Sequence, residues 1–100
     1  MSAAPLVSVV VPFYNDGQFL EDAIDSVRAQ AFEEWELLLV DDGSTDGSTR
    51  VARRAAADHS GRIRYLDHPG HANRGAPASR NRGIAMARGS YVAFLDADDV

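Results

Sequence analysis

Short apolar runs alternate along this chain with stretches where apolar residues return every three or four positions. Val7 to Phe13 is β-branched and apolar apart from Ser8, which predicts a strand covered on both faces. Pro12 suits the end of such a strand better than its middle. Phe19, Leu20, Ala23, Ile24, Val27 and Ala31 then recur at helical spacing, opposite Glu21, Asp22, Asp25 and Arg28. They predict an amphipathic helix starting at Asp16 or Gly17. Glu36 to Val40 predicts a second strand. The Asp, Gly, Ser and Thr of residues 41–48 predict a loop, with Asp46 or Ser48 as N-cap of a short helix over 49–58 that buries Val51, Ala52 and Ala55. A weaker strand over 62–66, a Gly- and His-containing loop over 67–75, a helix over 77–88 and a strand over 91–95 complete the pattern.

Regular alternation of strand and helix implies right-handed crossovers and one mostly parallel sheet, an α/β fold of the Rossmann-like three-layer α/β/α kind. Ligands of such sheets bind beyond the carboxyl ends of the strands. Three polar segments occupy that edge: Pro12-Phe13-Tyr14-Asn15, Asp41-Asp42-Gly43-Ser44 and Asp96-Ala97-Asp98. Carboxylates at the tip of a buried strand are costly to desolvate unless a cation or hydrogen-bond donors meet them. Two acidic tips predict one shared site for a metal ion and a polar ligand.

Composition narrows the chemistry. A net charge of -5 argues against general nucleic-acid binding, which needs a basic face. All ten Lys-plus-Arg residues are Arg, so a lysine Schiff base or a P-loop lysine is excluded. Absence of cysteine excludes disulfides, thiolate nucleophiles and Cys-ligated zinc. The first residues lack a basic stretch ahead of a long apolar run, and residues 7–13 are too few to cross a bilayer, so a cytoplasmic location is expected, with membrane association left to a longer parent.

Each candidate also has a plain structural reading. Asp96 and Asp98 have the spacing of a segment that offers oxygens to a hard dication, and equally that of a solvated acidic turn. Asp42 can accept from a base or a ribose, or the 41–48 loop can be a simple strand-to-helix turn. Tyr14 and Asn15 can stack on or bond to a base, or merely form an exit turn. Arg74, Arg80 and Arg82 surround the start of the third helix, where an arginine can neutralise a phosphate or pair with the carboxylates. His68 and His71 have no partner at metal-ligand spacing and are read as surface histidines.

Together these segments resemble the family-2 glycosyltransferases of the GT-A fold. The resemblance rests on residues 7–15, Ser26 with Gln30, residues 35–46, Asn73-Arg74-Gly75, Ser79-Arg80-Asn81 and residues 89–99, in order along nearly the whole chain. It implies a nucleotide-sugar donor, commonly a UDP-sugar, a sugar or glycan acceptor, and Mg2+ or Mn2+. By resemblance, Asp42 would hold the base with Pro12, Tyr14 and Asn15 lining its pocket. Asp96, with Ala97 and Arg80, would contact the ribose, sugar or diphosphate side, and Asp98 would bind the metal. The family inverts the anomeric centre by direct displacement, with a carboxylate base that lies well after the D-x-D motif. The chain is therefore expected to carry the donor half of a GT-A domain, cut after that motif, without the base or acceptor half, and to self-associate through an open sheet edge. Alternative readings are a non-catalytic nucleotide-binding or interaction module and a haloacid-dehalogenase-type phosphatase, whose D-x-D-x-[TV] pattern residues 96–100 match.

Overall fold

The computed structural model describes residues 5–96. Four strands, β1 (Val7–Phe13), β2 (Trp35–Asp41), β3 (Ile63–Asp67) and β4 (Tyr91–Phe94), alternate with three helices, α1 (Gly17–Arg28), α2 (Ser48–Asp58) and α3 (Ala76–Met86). The strands form one sheet in the order β3-β2-β1-β4, every pairing parallel. The predicted α/β architecture is the observed one.

Strand periodicity sorts the core into two layers. Val9, Val11, Phe13, Leu37, Leu39 and Ile63 face α1 and α2, where Leu20, Ala23, Ile24, Val27 and Ala52 meet them. Val10, Leu38, Val40 and Leu66 face the other way, with Met86 and Ala87 packed against them. Each buried Leu, Ile or Val contributes on the order of 1.5–3 kcal/mol. α3 lies close to the sheet at Gly83, where an added Cβ would collide with the Val10 side chain.

Local chemistry explains most boundaries. α1 starts at Gly17, one of the two predicted starts, and Asp16 caps it, its carboxylate accepting from Phe19 N at 3.2 Å. Ala31 lies beyond the end of that helix and is exposed, so it adds nothing to the core. Neither candidate cap of α2 is its N-cap. Gly47 is, and Asp46 instead accepts from Ser48 N at 2.8 Å, closing its turn one residue early. Pro12 lies within a central strand, which strand geometry permits. Val10 O accepts from Leu95 N on the β4 side, and Pro12 faces that same side two residues on, past the last β1–β4 pair at Val10 and Phe94, where no ladder donor is needed.

Candidate functional site

The carboxyl ends of β1, β2 and β4 meet the first turn of α3 around a pocket of about 140 Å³. Pro12, Phe13 and Tyr14 come from β1 and its exit, Asp42 follows β2, Asp96 follows β4, and Ala76, Ser79 and Arg80 come from α3. The pocket therefore gathers Pro12, Tyr14, Asp42, Arg80 and Asp96 from the sequence-predicted set. Tyr14 stays half exposed at its rim. Ala97 and Asp98 lie outside the described residues. A larger hollow of about 530 Å³ runs between the charged faces of α1 and α2, lined by Glu21, Asp22, Asp25, Arg50 and Arg54 among others. It lies away from the strand tips, and none of the predicted site residues borders it.

Asn15 does not line the pocket. Its side chain turns to the β2–α2 loop, where Oδ1 accepts from Thr45 N at 2.7 Å and Asp46 N at 3.2 Å. With φ 51 it supplies the left-handed turn that leaves β1, a conformation asparagine tolerates better than most residues. Its role here is to hold one loop against another.

The two carboxylates after Val40 separate by side. Asp41 points to the α2 side and is wholly buried, accepting from Ser44 N, Thr49 Oγ1 and Tyr65 Oη. Burial pushes its carboxyl up, but these hydrogen bonds outweigh that and hold it below the ordinary aspartate range. Burial, then the bond to Asp41, pushes the Tyr65 phenol up to about 12. Asp41 is thus a structural pin.

Asp42 faces α3. Its Oδ1 accepts from Arg74 N at 2.7 Å and Gly75 N at 3.0 Å, and Oδ2 accepts from Asn73 Nδ2 at 3.3 Å. Two consecutive N–H groups cradle the carboxylate at the entrance to α3, so Asp42 organises the loop as well as lining the pocket.

His68 corrects the sequence reading. It is buried, not at the surface, with Nε2 2.9 Å from Ser79 Oγ and 3.5 Å from Asp42 Oδ1. Ser79 comes from α3, eleven residues on, so no local pattern signalled the pairing. His71 is half-buried and also partnered: Nδ1 lies 3.1 Å from Asp67 Oδ2 and Nε2 lies 2.9 Å from Ser44 O. Of the three arginines, Arg80 pairs with Asp96 at 2.9 Å, Arg82 donates to Asp67 O, and Arg74 binds Asp42 through its backbone N–H. The Arg80–Asp96 pair places a guanidinium beside the second acidic tip, where a phosphate can share it.

At the opposite end of the sheet, Glu36 is buried and accepts from Ser8 Oγ at 2.6 Å and Arg88 N at 2.7 Å. Gly89 N donates to Ser8 Oγ at 2.8 Å, so this cluster ties the start of β4 to β1 and β2. Among the described residues no group of three or more His, Cys, Asp or Glu is arranged to hold a metal, and no helix is long and apolar enough to cross a membrane.

Relatives agree with this architecture. Residues 8–100 match glycosyl transferase family 2. The chain is 38% identical over 96 residues to glycosyltransferase GlyG of Streptococcus pneumoniae, covering 95% of this chain and 31% of GlyG. It superposes with TM-score 0.81 on the mannosyltransferase PcManGT of Pyrobaculum calidifontis in complex with GDP-Man and Mn2+, at 30% identity, covering 97% of this chain and 28% of that one. S. aureus TarS in complex with UDP-GlcNAc gives TM-score 0.80 at 29% identity, covering 93% of this chain and 26% of that one. The chain spans about a third of the length of several curated relatives it matches and less of others. A phosphatase whose acidic motif opens the fold is set aside, because here that motif follows the fourth strand. With a family match over residues 8–100 and a parallel sheet whose carboxyl edge carries the pocket, the chain belongs to glycosyl transferase family 2.

Proposed function

We propose that the pocket is part of the donor site for a nucleoside-diphosphate sugar, with a UDP-sugar favoured. The observation that carries this is the convergence of Pro12, Tyr14, Asp42, Arg80 and Asp96 at the carboxyl ends of three parallel strands. At about 140 Å³ the pocket is smaller than the roughly 300–1,000 Å³ of a whole small-molecule site, so it takes one portion of the donor. Asp42 and Tyr14 suit the base, while Arg80 and Asp96 suit the ribose and diphosphate side. Solved relatives carrying UDP-GlcNAc and GDP-Man support that class of donor.

A divalent cation fits the chemistry of this edge. Asp96 borders the pocket after β4, Asp98 follows it two positions on in the sequence, and we assign Asp98 to Mg2+ or Mn2+, which take carboxylate oxygens. Mn2+ in the solved mannosyltransferase supports a divalent cation as cofactor. Such an ion, when bound, would neutralise the charge on the nucleoside diphosphate as it leaves the anomeric carbon. Transfer of the sugar to an acceptor hydroxyl with inversion is the activity proposed for the whole protein. We assign the base and the acceptor site to sequence beyond the D-x-D motif. The reading extends to a cytoplasmic location, checked by fractionation of expressing cells, and to self-association through β4, one of the two edge strands among those described.

Calorimetry with UDP, GDP and dTDP, with and without Mn2+, tests the donor site. The expected result is UDP binding that Mn2+ strengthens and that loses its metal dependence in Asp98→Ala. Failure of all three nucleotides to bind overturns the reading.

A further inference from the structure

The 68–75 segment is fastened to the β2–α2 loop at two places. Asp42 makes the inner fastening, through Asn73 Nδ2 and the N–H groups of Arg74 and Gly75. His71 makes the outer one, between Asp67 Oδ2 at 3.1 Å and Ser44 O at 2.9 Å. A carboxylate and a backbone carbonyl can only accept. A neutral imidazole carries one N–H and satisfies one of them; an imidazolium satisfies both.

We propose that His71, as an imidazolium, is a positioning residue of the donor pocket, tying the β2–α2 loop at Ser44 to the end of β3 at Asp67. The proposal rests on the reading of that pocket as a nucleotide site.

The tie reaches the pocket along two routes. Ser44 Oγ accepts from Asn15 N at 3.0 Å, and Asn15 holds Thr45 and Asp46, so the loop and the β1 exit beside Tyr14 are linked. On the other side, Gly43 at φ 81 lies so close to the neighbouring segment that a Cβ would meet Asn73 N at 2.9 Å. Asn73 in turn bonds the carbonyl of Asp42.

The groups facing the ring favour its charge. Asp67 approaches from β3 and Asp41 from β2, at 4.0 Å, with Tyr65 Oη donating to the same Asp41 oxygen. Arg82 approaches only the backbone carbonyl of Asp67, and His68 is engaged with Ser79. The bond to the Ser44 carbonyl and then that to Asp67 hold the His71 ring above the ordinary histidine range. The tie is therefore complete below the unfolded value of about 6.5 and loosens as pH rises through the folded value.

Long-range 1H–15N spectra of the full chain from about pH 5 to about pH 9 read the ring state directly. Both ring nitrogens should stay protonated above about pH 6.5, and the amides of Ser44, Thr45 and Asp46 should shift with the same midpoint. A ring already neutral at about pH 6, or loop amides that ignore its midpoint, overturns the tie. UDP affinity should then weaken about three- to tenfold from about pH 6 to about pH 9, and become pH-independent in His71→Arg, which keeps the charge and several N–H donors. UDP affinity that stays constant while the ring titrates overturns the positioning role. No UDP binding at either pH refutes the donor-site reading itself, and the spectra still decide the tie.

Discussion

Asp41 and Asp42 are adjacent in sequence, yet Asp41 bonds Thr49 of α2 while Asp42 bonds the segment that opens α3. Strand alternation, carried one residue past the end of β2 by the bond from Asp42 N to Phe13 O, separates them. One carboxylate is committed to holding the fold together and the other borders the pocket. Asp41→Asn should destabilise the chain by about 2–4 kcal/mol, because buried donors on Ser44, Thr49 and Tyr65 lose a charged acceptor. Asp42→Asn should cost less stability, about 1 kcal/mol, and lower UDP affinity at least about tenfold. Urea denaturation and calorimetry on both variants check the division; equal losses of stability would argue against it.

Arg80 and Asp96 are partly exposed, so their pair contributes little to folding, on the order of 0–1 kcal/mol. Arg80→Met should therefore leave the urea midpoint nearly unchanged. The same variant should weaken UDP about tenfold, since a phosphate loses its cation. An unchanged affinity would remove Arg80 from the site.

Acid sensitivity should come from two buried carboxylates held below their ordinary range, Asp41 and, at the other end of the sheet, Glu36. Burial pushes the Glu36 carboxyl up, but bonds from Ser8 and Arg88 and the nearby Arg64 pull it further down, leaving it below the ordinary glutamate range. A lowered folded value means that its contribution is complete above about pH 4.3 and is lost as pH falls through the folded value. Thermal midpoints should fall below about pH 4, and Glu36→Gln should flatten that fall while lowering the neutral-pH midpoint by about 10 °C. Because the His71 contribution fades in the opposite direction, stability should peak at about pH 5–6. Scanning calorimetry across pH reads both limbs.

β4 presents Tyr91, Val92 and Phe94 to solvent and pairs on one side only among the described strands. An exposed apolar edge of this kind invites pairing with a second copy. Size-exclusion chromatography should show apparent mass rising with concentration, and Val92→Lys should restore a monomer. A clean monomer at high concentration would count against self-association.

The layout of the fold was legible because its signals are local. Val7 to Phe13 and Glu36 to Val40 read as buried strands, and residues 19–27 read as a helix, from spacing alone. The acidic tips after β2 and β4 were legible for the same reason, being charges placed directly after apolar runs. Helix ends were less so: Asp46 reaches its neighbour's N–H rather than capping α2, a choice of side-chain torsion that composition does not encode.

The amino-acid sequence by itself determined the order of elements, the parallel sheet and the three segments that meet at its carboxyl edge, because hydrophobic periodicity and strand direction suffice for those. Only the tertiary structure decided which polar groups meet. Asp41 became a pin, Asn15 a loop tie, His68 a buried partner of Ser79 and His71 a bridge from the β2–α2 loop to the end of β3. Each of those outcomes depends on donors and acceptors brought together from distant segments. A hydrogen bond acts over about 3 Å, so partners far apart in sequence leave no periodic trace of their meeting.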